Sequence, residues 1–215
     1  ILFKMIILLL ALGILLLAVR NKLDYWVFLI SALIGIMVWA ERTDVRPEIF
    51  SYLFLSCFIF AIFRAKYDNQ TKWLYFLPII QIFWTNMHIY FALGPILLLF
   101  FILDQKFKYW KIFLTTSAVT LLNPNFLNGA LYPLGVLKNY GYSIVENQNI
   151  LFLSDYGIST GRIQLFQLSL ALLILGFIIR KRIAVFELLS GIFFSVMALK
   201  MLRNFGPYGM VFTPL

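Results

Sequence analysis

Apolar residues in this chain run in long unbroken blocks, not in the alternating patterns of elements with one wet face. The blocks are Leu2–Val19, Tyr25–Ala40, Ile49–Phe63, Trp73–Leu103, Ile112–Leu122, Ile163–Ile179 and Ile183–Leu199, and another begins at Phe205. Short charged clusters separate them. Helices that are apolar all round, at near-membrane length, predict a polytopic transmembrane bundle. The Trp73–Leu103 block has 31 residues, which at 1.5 Å per residue is roughly 46 Å as one helix, too long for one crossing of a hydrocarbon core of about 30 Å. Pro78 and Gly94-Pro95 weaken helix continuity on either side of a polar stretch, so the block is expected to form two short helices turning near Asn86–Tyr90. The short Ile112–Leu122 block is expected to begin in the interface at Trp110.

The resulting fold expectation is all-α, with about eight spans plus the start of another, in a single transmembrane domain over residues 1–215. Alternation of sides is tested by the basic residues. Arg20, Lys22, Arg64, Lys66, Lys72, Lys106, Lys108, Lys111, Arg180, Lys181 and Arg182 gather on one side, which the positive-inside rule makes cytoplasmic. Lys4, Arg42, Arg46, Lys138, Arg162, Lys200 and Arg203 fall on the other, over longer segments. A long outer segment, Asn123–Arg162, carries Phe126–Leu137 as an interfacial helix, and Ser143–Gly157 reads as extended or irregular. Asn69-Gln70-Thr71 matches a glycosylation pattern but faces the cytoplasm in this topology, where it has no such use. No inverted repeat accompanies the broken Trp73–Leu103 pair, and ionisable residues lie at block ends; both features count against a transporter.

Composition agrees with the pattern. The chain is 62% hydrophobic and 13% charged, where a soluble domain carries about 25% charged residues; mean hydropathy is +0.92. The formal net charge of +9 would suggest nucleic acid in a soluble protein, but here the basic residues terminate apolar blocks and act as topology signals, so no nucleic-acid partner is expected. One cysteine, Cys57, excludes an internal disulfide, and with one histidine, His88, a zinc site of His and Cys ligands is not expected. The chain opens on Ile1 and ends soon after a new apolar run begins, so it is read as an N-terminally truncated piece of a longer protein. Leu2–Val19 is too long for a signal-peptide core and lacks a small-residue cleavage site.

Candidate chemistry centres on Glu41–Glu48, which packs Glu41, Asp44, Glu48, Arg42 and Arg46 between two apolar blocks. Two readings stand. In one, Pro47 and Glu48 open a helix favourably and the arginines pair with Glu41 and Asp44 at a solvated interface. In the other, Arg42 and Arg46 bind a lipid-linked phosphate while the carboxylates hold a divalent cation, Mg or Mn, or act as a base. Trp84, Asn86, His88 and Tyr90 crowd polar and aromatic groups at the same surface, where Trp and Tyr are enriched in any case. Lys200, Arg203 and Asn204 follow an apolar block on that face, as a snorkelling helix end or as part of an anion site. Glu146 and Asp155 read as solvated, and Glu187 as paired locally with Arg180–Arg182.

Several short motifs occur in a familiar order: Arg46-Pro47-Glu48 opening a helix, Trp84-Thr85-Asn86-Met87-His88 closing one, Asn123-Pro124, Tyr132-Pro133 leading to Ile144-Val145-Glu146, and Arg203-Asn204 before the last apolar run. In this the chain resembles the membrane region of type-C glycosyltransferases, polytopic enzymes using polyprenyl-phosphate sugars, and bacterial integral membrane proteins grouped with them. The resemblance implies a multi-pass protein of a bacterial inner membrane that moves a sugar from a lipid-linked donor to an acceptor at the outer face. Taken with the convergence of Arg, carboxylate, His and Asn on the face where cations are disfavoured, it makes Asp44, Glu48 and His88 the candidate catalytic groups, and Arg42, Arg46, Trp84, Asn86, Tyr90, Lys200, Arg203 and Asn204 the candidate substrate-binding groups. In that family the acidic catalytic residue commonly lies in the first outer loop, ahead of where this chain begins. The rival expectation is a non-catalytic membrane subunit that docks a protein partner through the outer segment; a transporter is third.

Overall fold

A computed structural model describes residues 2–20, 24–39, 46–135 and 144–215, with nothing to be said of the Trp39 side chain. Its α-helices in chain order are α1 (Leu2–Val19), α2 (Tyr25–Trp39), α3 (Glu48–Tyr67), α4 (Leu77–Met87), α5 (Leu93–Asp104), α6 (Trp110–Ala118), α7 (Phe126–Gly135), α8 (Ile150–Asp155), α9 (Thr160–Ile179), α10 (Val185–Lys200) and α11 (Phe205–Phe212). Among the described residues there is no strand, as the block pattern predicts. Among the described residues three helices, α1, α3 and α9, are long and apolar enough to cross a membrane, while Tyr25–Val38 and Ile89–Asp104 are apolar but shorter. The chain divides into two compact units, residues 1–22 with 44–138 and residues 23–43 with 139–215.

The first unit is built on α3. Pro47 caps it in a helical conformation (φ −56°, ψ −21°), and Glu48 occupies the first turn, where the helix dipole favours an anion. At the other end Arg64 reaches Asp68 and donates to the Leu17 carbonyl of α1 at 2.9 Å. Phe3 meets Phe50 (centroids 6.0 Å apart), so α1 runs parallel to α3. α4 runs antiparallel to it, placing Trp73 against Phe60 (5.2 Å) at one end and Trp84 against Phe54 (5.9 Å) at the other.

The chain then reverses. His88 is extended (φ −158°, ψ 144°), a single turn spans Ile89–Ala92, and α5 returns alongside α3 until Asp104 ion-pairs with Lys66. The expected break at Asn86–Tyr90 is therefore present, because Gln81 Nε2 donates to the Phe91 carbonyl (3.0 Å) across the reversal. Gly94 lets the two limbs close: a Cβ there would lie 2.3 Å from Gln81 Oε1 and 2.9 Å from the buried Phe58 ring. Gly94→Ala is expected to destabilise the unit by about 1–3 kcal/mol, the usual cost of overpacking a filled interior. Equilibrium unfolding in mixed micelles reads the effect, and an unchanged midpoint would show that the limbs do not close here. α6 completes the unit, antiparallel to α5, with Tyr109 stacked on Phe101 (5.4 Å).

Seen along this unit, charge separates by end. Arg64, Lys66, Lys72 and Lys106 lie at one end, and Arg46, Glu48 and His88 at the other, matching the side assignment made from the basic residues. α7 has no buried residue and exposes Phe126, Leu127, Leu131, Tyr132 and Leu134, a surface suited to an interfacial helix.

The second unit packs α2, α9 and α10 around α11, whose eight residues are all buried. Phe166 stacks on Phe205 (4.8 Å), and the Tyr208 hydroxyl meets Ser169 Oγ at 3.0 Å. α2 and α11 approach through Gly35, where a Cβ would lie 2.9 Å from the Gly209 carbonyl oxygen. Glu187 is buried and takes a hydrogen bond from Arg180 (2.9 Å), the local pairing its position suggests. Within the expected irregular stretch, Ile150–Asp155 is helical, because Asn149 Oδ1 accepts from the Phe152 N–H (2.8 Å) and caps the turn while Ile150 and Leu153 are buried.

Candidate functional site

The α3 N-terminus and the α4–α5 reversal bring the candidate groups of the first unit to one end. Trp84 is fully buried, and its indole Nε1–H, which can only donate, points to Ser51 Oγ at 2.9 Å. Ser51 Oγ lies 3.0 Å from His88 Nδ1, and the Tyr90 backbone N–H donates to the same nitrogen at 3.4 Å. Trp84 and Ser51 thus fix the orientation of the His88 ring through its Nδ1 edge. Tyr90 is buried with its ring 4.8 Å from the imidazole, closing its flank.

Glu48 precedes Ser51 by three residues, one helical turn, and is itself buried; Arg46 is exposed just before Pro47. Arg42 and Asp44, with Glu41, lie outside the described residues. A cleft of about 390 Å³ opens at this end, lined by Asn86, His88, Asn123, Asn125, Gly129 and Tyr132 among others. Asn86 is exposed, and its amide donates to the carbonyls of Ile82 (2.8 Å) and Leu122 (2.9 Å), tying α4 to the end of the α6 limb. Asn123 donates to Thr120 and Phe126 carbonyls and accepts from the Asn125 N–H, all at 2.8 Å, which shapes the turn into α7. Gly129 makes that turn feasible, since a Cβ there would lie 1.9 Å from Asn123 Oδ1.

Lys200, Arg203 and Asn204 belong to the second unit. Lys200 is exposed, Arg203 donates to Asn147 Oδ1 (3.3 Å), and the buried Asn204 donates to the Met197 carbonyl (2.8 Å). Arg162, another outer-side cation in the sequence, donates to the Val38 carbonyl at the end of α2 (3.2 Å) and covers the Phe205 ring. These two arginines therefore have partners inside the fold.

Sequence reasoning missed Ser51, the group joining Trp84 to His88, and did not name Asn125 or Gly129 in the cleft. The available signal for Ser51 was its place one turn after Glu48 in the mostly apolar first half of α3. Among the described residues no group of three or more His, Cys, Asp or Glu side chains gathers at metal-ligand distance; of the carboxylates offered for a divalent cation, Glu48 alone is described. No protein-family model, curated protein or solved structure matches this chain.

Proposed function

We propose that this chain is a multi-pass membrane protein of about eight spans, in a bacterial inner membrane, that transfers a sugar from a polyprenyl-phosphate donor at its non-cytoplasmic face. The observation that carries the reading is the Trp84–Ser51–His88 chain of hydrogen bonds, which holds the His88 imidazole at the rim of a cleft at the end opposite the basic one. In the transfer, the bond between the sugar's anomeric carbon and the donor phosphate oxygen breaks, and a bond to an acceptor hydroxyl oxygen forms. Arg46 and Arg42 neutralise the departing lipid phosphate, an electrostatic role suited to guanidinium geometry. A carboxylate of the Asp44–Glu48 stretch takes the acceptor proton. His88, with Nδ1 engaged inward, acts as a donor toward donor or acceptor oxygens rather than as the base. Asn86 and Tyr132 line the space for the sugar, and α7's exposed apolar residues lie beside it for the lipid tail.

The test is sugar transfer from a polyprenyl-phosphate donor in reconstituted vesicles. His88→Ala is expected to lower transfer by about 10²-fold or more, the lower end of the range of about 10²–10⁴ that a positioned proton-transfer group contributes. Unchanged transfer by H88A and R46A together would remove the cleft from the reaction. A second reading, a non-catalytic subunit docking through the outer segment, is favoured by the absence of any buried residue in α7. It expects a stoichiometric protein partner on purification and no transfer activity.

A further inference from the structure

At the opposite end of the first unit a second groove opens between α1, α3 and the start of α4. It has a volume of about 370 Å³ and is lined by Ile14, Leu17, Cys57, Phe60, Trp73 and Phe76 among others, all apolar side chains apart from the Cys57 thiol. In water such a groove would be a liability; beside helices long and apolar enough to span a bilayer it matches a hydrocarbon chain. The charges at this end of the unit are not equivalent. Arg64 is paired with Asp68 and Lys66 with Asp104. Lys72 is exposed, has no carboxylate partner among the described residues, and sits over the Trp73 ring at 5.4 Å from its centroid. Trp73 thus links the apolar groove to an uncompensated cation, and Arg20, Lys106, Lys108 and Lys111 add positive charge at the same end.

We propose that this groove holds one acyl chain of an anionic phospholipid of the cytoplasmic leaflet, with the headgroup phosphate against Lys72. The site is separate from the His88 cleft and rests only on the membrane-spanning part of the function proposed above. Lysine serves here as a point charge at the headgroup layer, and Trp73 marks the boundary between headgroup and tail.

Vesicles of phosphatidylcholine and phosphatidylglycerol at a molar ratio of about 4:1, with bromine on the acyl chains of one lipid or the other, report the occupant by quenching tryptophan. The Trp73 contribution is the wild-type signal minus that of Trp73→Phe. Brominated phosphatidylglycerol is expected to quench Trp73 as though the local ratio of phosphatidylglycerol to phosphatidylcholine were about fivefold that in the bulk, the enrichment equivalent to about 1 kcal/mol for one lysine at an anionic surface. Lys72→Gln, an exposed change, is expected to bring that enrichment to about one. An enrichment near one in the wild type, with protein that floats with the vesicles, overturns the proposal alone. An enrichment undiminished in K72Q overturns the headgroup assignment. Protein that does not float with the vesicles at all overturns the spanning reading beneath it.

Discussion

Truncating Trp84 to alanine is expected to lower the unfolding free energy by about 3–5 kcal/mol, the usual cost of emptying a fully buried aromatic site. The indole packs against Phe54 and Phe58, and both rings belong to α3, so the void opens at the α3–α4 contact. Lipid cannot relieve it, because packing inside a helical bundle is stabilised by close contact and not by exclusion of water. Trp84→Phe separates packing from orientation. It keeps most of the ring volume and removes the N–H that Ser51 accepts, and is expected to cost about 1–2 kcal/mol. Loss of that donor frees Ser51 Oγ to turn and His88 to change tautomer. Unfolding in mixed micelles measures the first effect. Sugar transfer measures the second: W84F is expected to lose transfer out of proportion to its stability, while full activity in a folded W84F would mean that the Trp84–Ser51 bond does not position the histidine.

Replacing Asp104 with alanine is expected to cost about 3 kcal/mol, the lower part of the range for breaking a buried ion pair by removing one partner. Asp104 joins the last turn of α5 to Lys66 near the end of α3, with both side chains at most 10% exposed. Without it the buried Lys66 ammonium loses the carboxylate it is paired with, at an end that also carries Lys106 and Lys108. The comparison that identifies the mechanism is the double change Lys66→Met with Asp104→Leu. Matched apolar groups remove both charges, so the pair is expected to be less destabilised than D104A alone. Equal or greater destabilisation of the double variant, by the same unfolding measurement, would show that the ion pair stabilises the fold outright.

The cleft was partly legible beforehand. His88 and Asn86 within an apolar block, and Glu48 at the edge of one, stood out because polar groups beside hydrocarbon are costly unless hydrogen-bonded or used, and each has a partner in the fold or a place at the cleft. Trp84 was legible as important and misleading as to why: an aromatic near a membrane surface looks like an interfacial anchor, whereas here it is buried and holds Ser51. Arg203 stood out as part of an anion site on a side where cations are disfavoured, but its partner Asn147 and the Val38 carbonyl that Arg162 meets lie 56 and 124 positions away, contacts that no local pattern announces. Ile150–Asp155 was missed as a helix because its six residues are too few to show a period, and a single capping asparagine with two buried side chains decides it.

The residues alone determined that this protein is helical, where its long helices lie, and which end of the first unit is basic, because apolar block length and the placement of Lys and Arg are local properties read directly from order. They also determined that the Trp73–Leu103 block breaks at its polar centre, since proline and glycine act on the backbone of their own neighbours. Only the tertiary structure decided which groups meet there: that Ser51 bridges Trp84 and His88, that Gln81 and Gly94 close the reversal, and that Lys66 is neutralised while Lys72 is not. The physical reason is that hydrophobicity chooses a residue's surroundings without direction, whereas a hydrogen bond or an ion pair needs its partner within about 3–4 Å, a distance set by packing between helices far apart in the chain.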